Sequence, residues 1–161
     1  MKGSGNQKNL KQQGFISSTD IDAEQEQATF AAVVTKEKRI IRKKPVSETS
    51  VLLDCIIAGM QEIKAKDIVV MDLRKIQGAM TDYFVVCSGN SNTQVQAIAQ
   101  SVEKETVKNC QDSPWHTEGL KNAKWILMDY VNVVVHIFDK EARDFYALED
   151  LWADADMKRI D

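Results

Sequence analysis

The stretch Lys124–Trp152, KWILMDYVNVVVHIFDKEARDFYALEDLW, runs from two apolar segments straight into a segment with helical spacing, and its reading decides the fold. Side chains alternate along a strand, so a strand over Trp125–Tyr130 places Trp125, Leu127 and Asp129 on one face and Ile126, Met128 and Tyr130 on the other. The first face is mixed. A carboxylate beside Leu127 and Trp125 needs a partner to sit in a dry core, so that face meets solvent or another molecule. The following run, Asn132–Phe138, is so continuously apolar from Val133 to Ile137 that it predicts a central strand, paired with the first as a hairpin. Asp139 then caps a final amphipathic helix.

Working outward from this stretch, Ser47 or Thr49 caps a helix whose apolar positions Leu52, Leu53, Ile56, Ile57, Met60 and Ile63 form one stripe. Asp67–Leu73 and Asp82–Cys87 read as strands, joined by a polar connection containing Gly78. Ser91 and Gln94 form a capping-box pattern ahead of a second stripe, Val95, Ile98, Ala99 and Val102. After Pro114, Trp115–Glu118 reads as a short edge strand. The order is helix, two strands, helix, two or three strands, helix. It predicts an α/β fold in which a mixed β-sheet is covered by helices.

Composition sets bounds on this reading. A chain of 161 residues with 43% hydrophobic and 28% charged content holds one globular domain. The charge is unevenly spread: residues 1–44 carry a net +4 and residues 45–161 a net −7. An acidic body argues against broad phosphate-backbone binding and suits docking on a basic protein. Cys55, Cys87 and Cys110 are widely spaced with no CxxC pair, which predicts three buried thiols, no zinc site and no disulfide framework. No run reaches the length of a membrane span and the start lacks a secretory apolar region, so a reducing cytoplasm is expected.

Residues 1–45 read as a flexible N-terminal arm and 46–161 as the folded domain. The arm ends in the cluster Lys36, Lys38, Arg39, Arg42, Lys43 and Lys44, followed by Pro45. A solvated linker is the simpler account of that cluster, and an electrostatic tether to RNA is the functional one.

From about Val46 onward the chain resembles the ribosomal silencing factor family, also called Iojap or RsfS. The matching segments are LLDCIIAGMQEIKAKDIVVMDL at Leu52–Leu73, TDYFVVCSGNSNTQVQAIAQSVEKE at Thr81–Glu105, then WILMDY, VVVHIF and EARDFYALEDLW after Lys124. Several motifs in one order are far more specific than any alone. The resemblance implies a nucleotidyltransferase-like sandwich and a non-enzymatic, cofactor-free factor. It further implies docking on ribosomal protein L-fourteen of the large subunit and blocked joining of the small one. Homodimer formation is left open. One departure stands out: the family usually has Gly-Asp in the hairpin where this chain has Val131 and Asn132. Valine resists positive φ, so Asn132 is expected to take that conformation and Tyr130 to be aimed differently.

Trp125 is the foremost expected partner-binding residue, a large rigid anchor with the nearby Asp129 charge to select the partner. Asp129 and Tyr130 follow, then Leu127, Lys124 and Asp82. The rival is a nucleotidyltransferase-type enzyme with Ser88-Gly89 as a phosphate-binding turn. It lacks the pair of carboxylates that two-metal transfer needs, leaving only Asp72 and Asp129 to converge across the sheet. His136 reads as a hydrogen-bonded, partly buried strand histidine, and Tyr146 and Trp152 as packing against the sheet.

Overall fold

The computed structural model describes residues 46–161; the basic arm, with its linker and tether readings, lies outside them. The described elements are α1 (Val46–Glu62), β1 (Lys66–Asp72), β2 (Tyr83–Gly89), α2 (Asn92–Cys110), β3 (His116–Glu118), β4 (Trp125–Asp129), β5 (Val133–Asp139), α3 (Lys140–Tyr146), α4 (Leu148–Leu151) and β6 (Asp156–Ile160). The six strands form one sheet in the order β3-β4-β5-β2-β1-β6. Only β2 and β5 pair in parallel, the other neighbours being antiparallel, so the sheet is mixed as the element order requires. β5 is central, with Val133 through Phe138 all buried.

α1 and α2 cover one face. Leu52, Ile56 and Met60 of α1 meet Val95, Ile98 and Val102 of α2 above Val85, Ile126, Met128, Val135 and Ile137 of the sheet. Gly59 sets how closely these helices approach: a Cβ there would lie 2.7 Å from the Val102 Cα. The capping box at α2 forms as its pattern requires. Ser91 Oγ accepts from the Gln94 N–H at 3.1 Å, while Gln94 Oε1 reaches one residue beyond the cap to accept from the Asn90 N–H at 2.7 Å. Asp139 caps α3, its Oδ1 accepting from the Ala142 N–H at 2.7 Å.

Six local expectations are corrected. Ser47 and Thr49 both lie inside α1 instead of capping it, and the buried Thr49 Oγ1 accepts from Asn132 Nδ2 at 3.2 Å. The final helix is two short ones, broken where Ala147 adopts the left-handed conformation at φ 42°. The chain then adds edge strand β6 against β1, a pairing that no local apolar pattern announces. Cys55 and Cys110 meet as a disulfide with a Cα separation of 7.2 Å, because antiparallel packing of α1 and α2 joins positions far apart in sequence. Only Cys87 is a free buried thiol among the described residues, pushed up to about 12 by burial.

The fifth concerns the hairpin: Val131 itself takes the positive φ, at 75°. The Asn132 N–H donates to the Tyr130 carbonyl at 3.0 Å, which makes a γ-turn centred on Val131. Surrounding groups hold this strained turn. Asp129 Oδ1 accepts from the Val131 N–H at 2.7 Å, Thr81 Oγ1 donates to the Val131 carbonyl at 2.9 Å, and the Asn132 carbonyl accepts from both Asp82 and Tyr83 N–H at 3.0 Å. The sixth is His136, which is fully buried where partial burial was expected.

Candidate functional site

The sheet face opposite the two long helices carries a run of rings. Strand parity directs Trp125 of β4, His136 and Phe138 of β5 and Phe84 of β2 to this side, because their neighbours Ile126, Ile137 and Val85 belong to the helix-covered core. The helix started by Asp139 folds back so that Tyr146 lies 4.6 Å from the Trp125 ring, centroid to centroid. Phe138 stacks on Trp125 at 5.0 Å. On the other side Trp152 meets Phe84 edge-on at 5.3 Å, and Phe84 meets His136 edge-on at 4.6 Å. These contacts bear out the expected packing roles of Tyr146 and Trp152.

His136 ties the cluster together. Trp125 Nε1 donates to His136 Nδ1 at 3.1 Å. Burial holds the imidazole neutral, its pKa lowered to about 3, so Nδ1 accepts and the ring proton resides on Nε2. Trp125 is left half-buried, its ring fixed by stacking on Phe138 and by this bond.

The other candidate residues separate into two groups. Lys124 is exposed next to Trp125, and its carbonyl accepts from the Asp139 N–H at 2.8 Å. Leu127 shares the Trp125 face but is buried, directly opposite His136 in the β4–β5 register. Asp129 lies four residues along, ~14 Å at the usual strand rise, and is buried with its carboxylate on the hairpin turn. Asp82 is half-buried, with Oδ2 accepting from Asn132 Nδ2 at 3.2 Å. Tyr130 stands on the opposite face, buried in the helix-side core, with its hydroxyl 3.0 Å from Thr106 Oγ1 and its pKa raised by desolvation. The structure therefore brings Trp125 and Lys124 together at the surface. Asp129 and Asp82 join in the turn network, and Leu127 is buried within the sheet opposite His136.

Large apolar side chains outside the expected set are also exposed. Trp115, 59% exposed, is tied to the end of β4 by its N–H, which donates to the Asp129 carbonyl at 2.7 Å. Its position beside Pro114 ahead of an edge strand was the available signal. Phe145 and Leu151, on α3 and α4, are exposed as well.

The geometry does not assemble a nucleotidyl-transfer site. Asp72 and Asp129 are three strand spacings apart, ~14 Å, against the roughly 4 Å separating the metals of a two-metal centre. Asp72 is occupied by Arg74, whose hydrogen bond lowers the carboxyl pKa. Ser88 Oγ accepts from Arg143 Nη1 at 2.8 Å, and Gly89 packs so tightly on α2 that a Cβ would lie 2.9 Å from Val95 Cγ2. That turn is filled by protein.

Fold and site thus define an α/β domain with two long helices on one face of a mixed sheet and a partly open aromatic surface on the other. Residues 46–161 match the family described as "Ribosomal silencing factor during starvation", and the chain belongs to that family. It is 38% identical over 110 residues to ribosomal silencing factor RsfS of Bacillus subtilis, covering 68% of this chain and 92% of that one. A Mus musculus relative, "Mitochondrial assembly of ribosomal large subunit protein 1", is 29% identical over 102 residues, covering 62% of this chain and 44% of that one. A crystal structure of a Bacillus halodurans protein superposes with a TM-score of 0.57 at 34% identity, covering 68% of this chain and 96% of that one. The class is that of translational regulators acting at the ribosome. No helix among the described residues is long and apolar enough to cross a membrane.

Proposed function

We propose that this chain docks on the large ribosomal subunit, on ribosomal protein L-fourteen, and prevents joining of the small subunit by occupying the space it needs. The reading places this in the cytoplasm, with no cofactor and no chemical step. The observation that carries it is Trp125: a tryptophan locked by a hydrogen bond and by ring contacts to Phe138 and Tyr146, yet only half-buried on the sheet face that the long helices leave uncovered. A large aromatic held in one orientation before binding loses little conformational entropy on docking, and such residues dominate interface energetics. Lys124 supplies a rim charge beside it. Leu127 supports the anchor, while Asp129, Tyr130 and Asp82 set the shape of the adjoining hairpin end. Family membership and the mouse relative's printed link to the large subunit support the choice of partner.

Titration of the full chain against purified ribosomal protein L-fourteen tests the contact. The expectation is a one-to-one complex that Trp125→Glu weakens about thirtyfold or more. Equal binding by the two proteins would remove Trp125 from the interface.

A further inference from the structure

The aromatic run that holds Trp125 continues beyond the sheet. Trp125 packs on Tyr146 at 4.6 Å, and Tyr146 meets Phe145 edge-on at 5.1 Å. Ala142 and Tyr146, four residues apart, share the inward side of α3, which leaves Phe145 outside with 72% of its surface exposed. A single exposed apolar side chain is ordinary; one joined through the Tyr146 ring to a half-buried tryptophan extends a patch.

The rim of that patch is charged in a defined order. Lys124 and Lys140 lie at the start of α3, brought close by the bond between the Asp139 N–H and the Lys124 carbonyl. Glu141 and Asp144 flank Phe145, and Asp150 and Asp154 follow around the 75% exposed Leu151. None of these four carboxylates enters an ion pair among the described residues, whereas the nearby Arg143 is neutralised by Glu149. The Phe145 end of the surface is therefore anionic.

We propose that the docking surface runs from Trp125 through Tyr146 to Phe145, that Phe145 is a second apolar anchor, and that it takes a cationic protein surface with an apolar recess between basic side chains. This deepens, and rests on, the docking reading above. Exposed carboxylates on both sides of Phe145 repel phosphate, which disfavours an RNA occupant, and they steer a basic protein toward the patch.

The test is co-sedimentation of the full chain with large subunits over a range of salt concentrations. Four variants are compared: Trp125→Glu, Phe145→Ser, Phe145→Leu and Asp144→Lys. Phe145→Ser is expected to weaken binding about tenfold at an unchanged melting temperature, because the ring contributes little to the core. Phe145→Leu, which keeps an apolar anchor, should stay within about threefold of the parent. Asp144→Lys should weaken binding and flatten its salt dependence. If Trp125→Glu loses binding while Phe145→Ser and Asp144→Lys bind like the parent, the extension is wrong and the docking reading stands. Tighter binding by Asp144→Lys would assign the surface to RNA phosphate and overturn the proposal. A parent chain that fails to sediment, or a Trp125→Glu variant that binds normally, would overturn the docking reading and this extension together.

Discussion

The Trp125 indole donates to a histidine that cannot readily become charged: Nε1 lies 3.1 Å from His136 Nδ1, inside a site whose burial lowers the imidazole pKa to about 3. Protonating Nδ1 would replace the acceptor with a second donor and break the bond. The anchor's orientation is thus coupled to a neutral, buried base on the adjacent strand. Phe138 stacks on the same indole, so the ring is held from two directions.

This coupling predicts a pH dependence of stability. The folded pKa lies below the ordinary 6.5, so the unfolded chain binds a proton that the folded chain excludes, and stability is lost as pH falls from about 6.5 toward 3. The slope approaches about 1.4 kcal/mol per pH unit below the unfolded pKa. Urea denaturation at pH 7 and 5.5, above the main carboxylate range, should show a loss on the order of 1 kcal/mol that His136→Phe reduces. A parent midpoint that does not move between these pH values would contradict the assignment of His136.

The two tryptophans should behave differently. Trp125→Glu removes a half-buried ring and puts a charge where docking would desolvate it, so binding should fall far more than stability does. Trp152 is half-buried edge-on to Phe84, and Trp152→Ala should cost about 2 kcal/mol of stability, less than a fully buried tryptophan, with large-subunit affinity within about threefold. Thermal melts paired with sedimentation would expose an inverted assignment.

The hairpin supplies a contrasting pair. Val131 is β-branched at φ 75°, so Val131→Gly relieves strain and should raise stability by about 1 kcal/mol despite the entropic cost of glycine. Asn132→Ala removes the side-chain bonds to Thr49 and Asp82 and should destabilise by roughly 1–3 kcal/mol. Chemical denaturation of both variants checks the sign; destabilisation by Val131→Gly would mean the turn is not strained.

Much of the sheet was legible because burial leaves a period. Val133–Ile137 announced a central strand, Ser91 and Asp139 announced their helices, and the alternation Trp125, Leu127, Asp129 picked out the face opposite the long helices. The same alternation already placed Tyr130 away from Trp125, although the resemblance put it in the expected site. Other features leave no local trace. β6 reads DMKRI, a charged tail that becomes a strand only by pairing with β1. Ala147 is a good helix former, yet it sits left-handed and ends α3, its N–H donating to the Arg143 carbonyl. Phe145 was missed because helical spacing alone did not show which side of a two-turn helix the sheet covers.

Deleting residues 1–44 should leave the circular dichroism spectrum of the folded domain and most of its large-subunit affinity intact, since every apolar stripe begins after Pro45. If the basic cluster contacts RNA, the deletion should cause a modest loss that disappears at high salt. Loss of cooperative melting would move the domain boundary upstream.

The most direct test of occlusion is a subunit-joining experiment on sucrose gradients, with the full chain added to large subunits before small subunits and magnesium. The account predicts that the chain migrates with large subunits, that joined ribosomes decline in proportion to its occupancy, and that Trp125→Glu restores joining. A chain that saturates large subunits while joining proceeds unchanged, or that migrates only with small subunits, would contradict it.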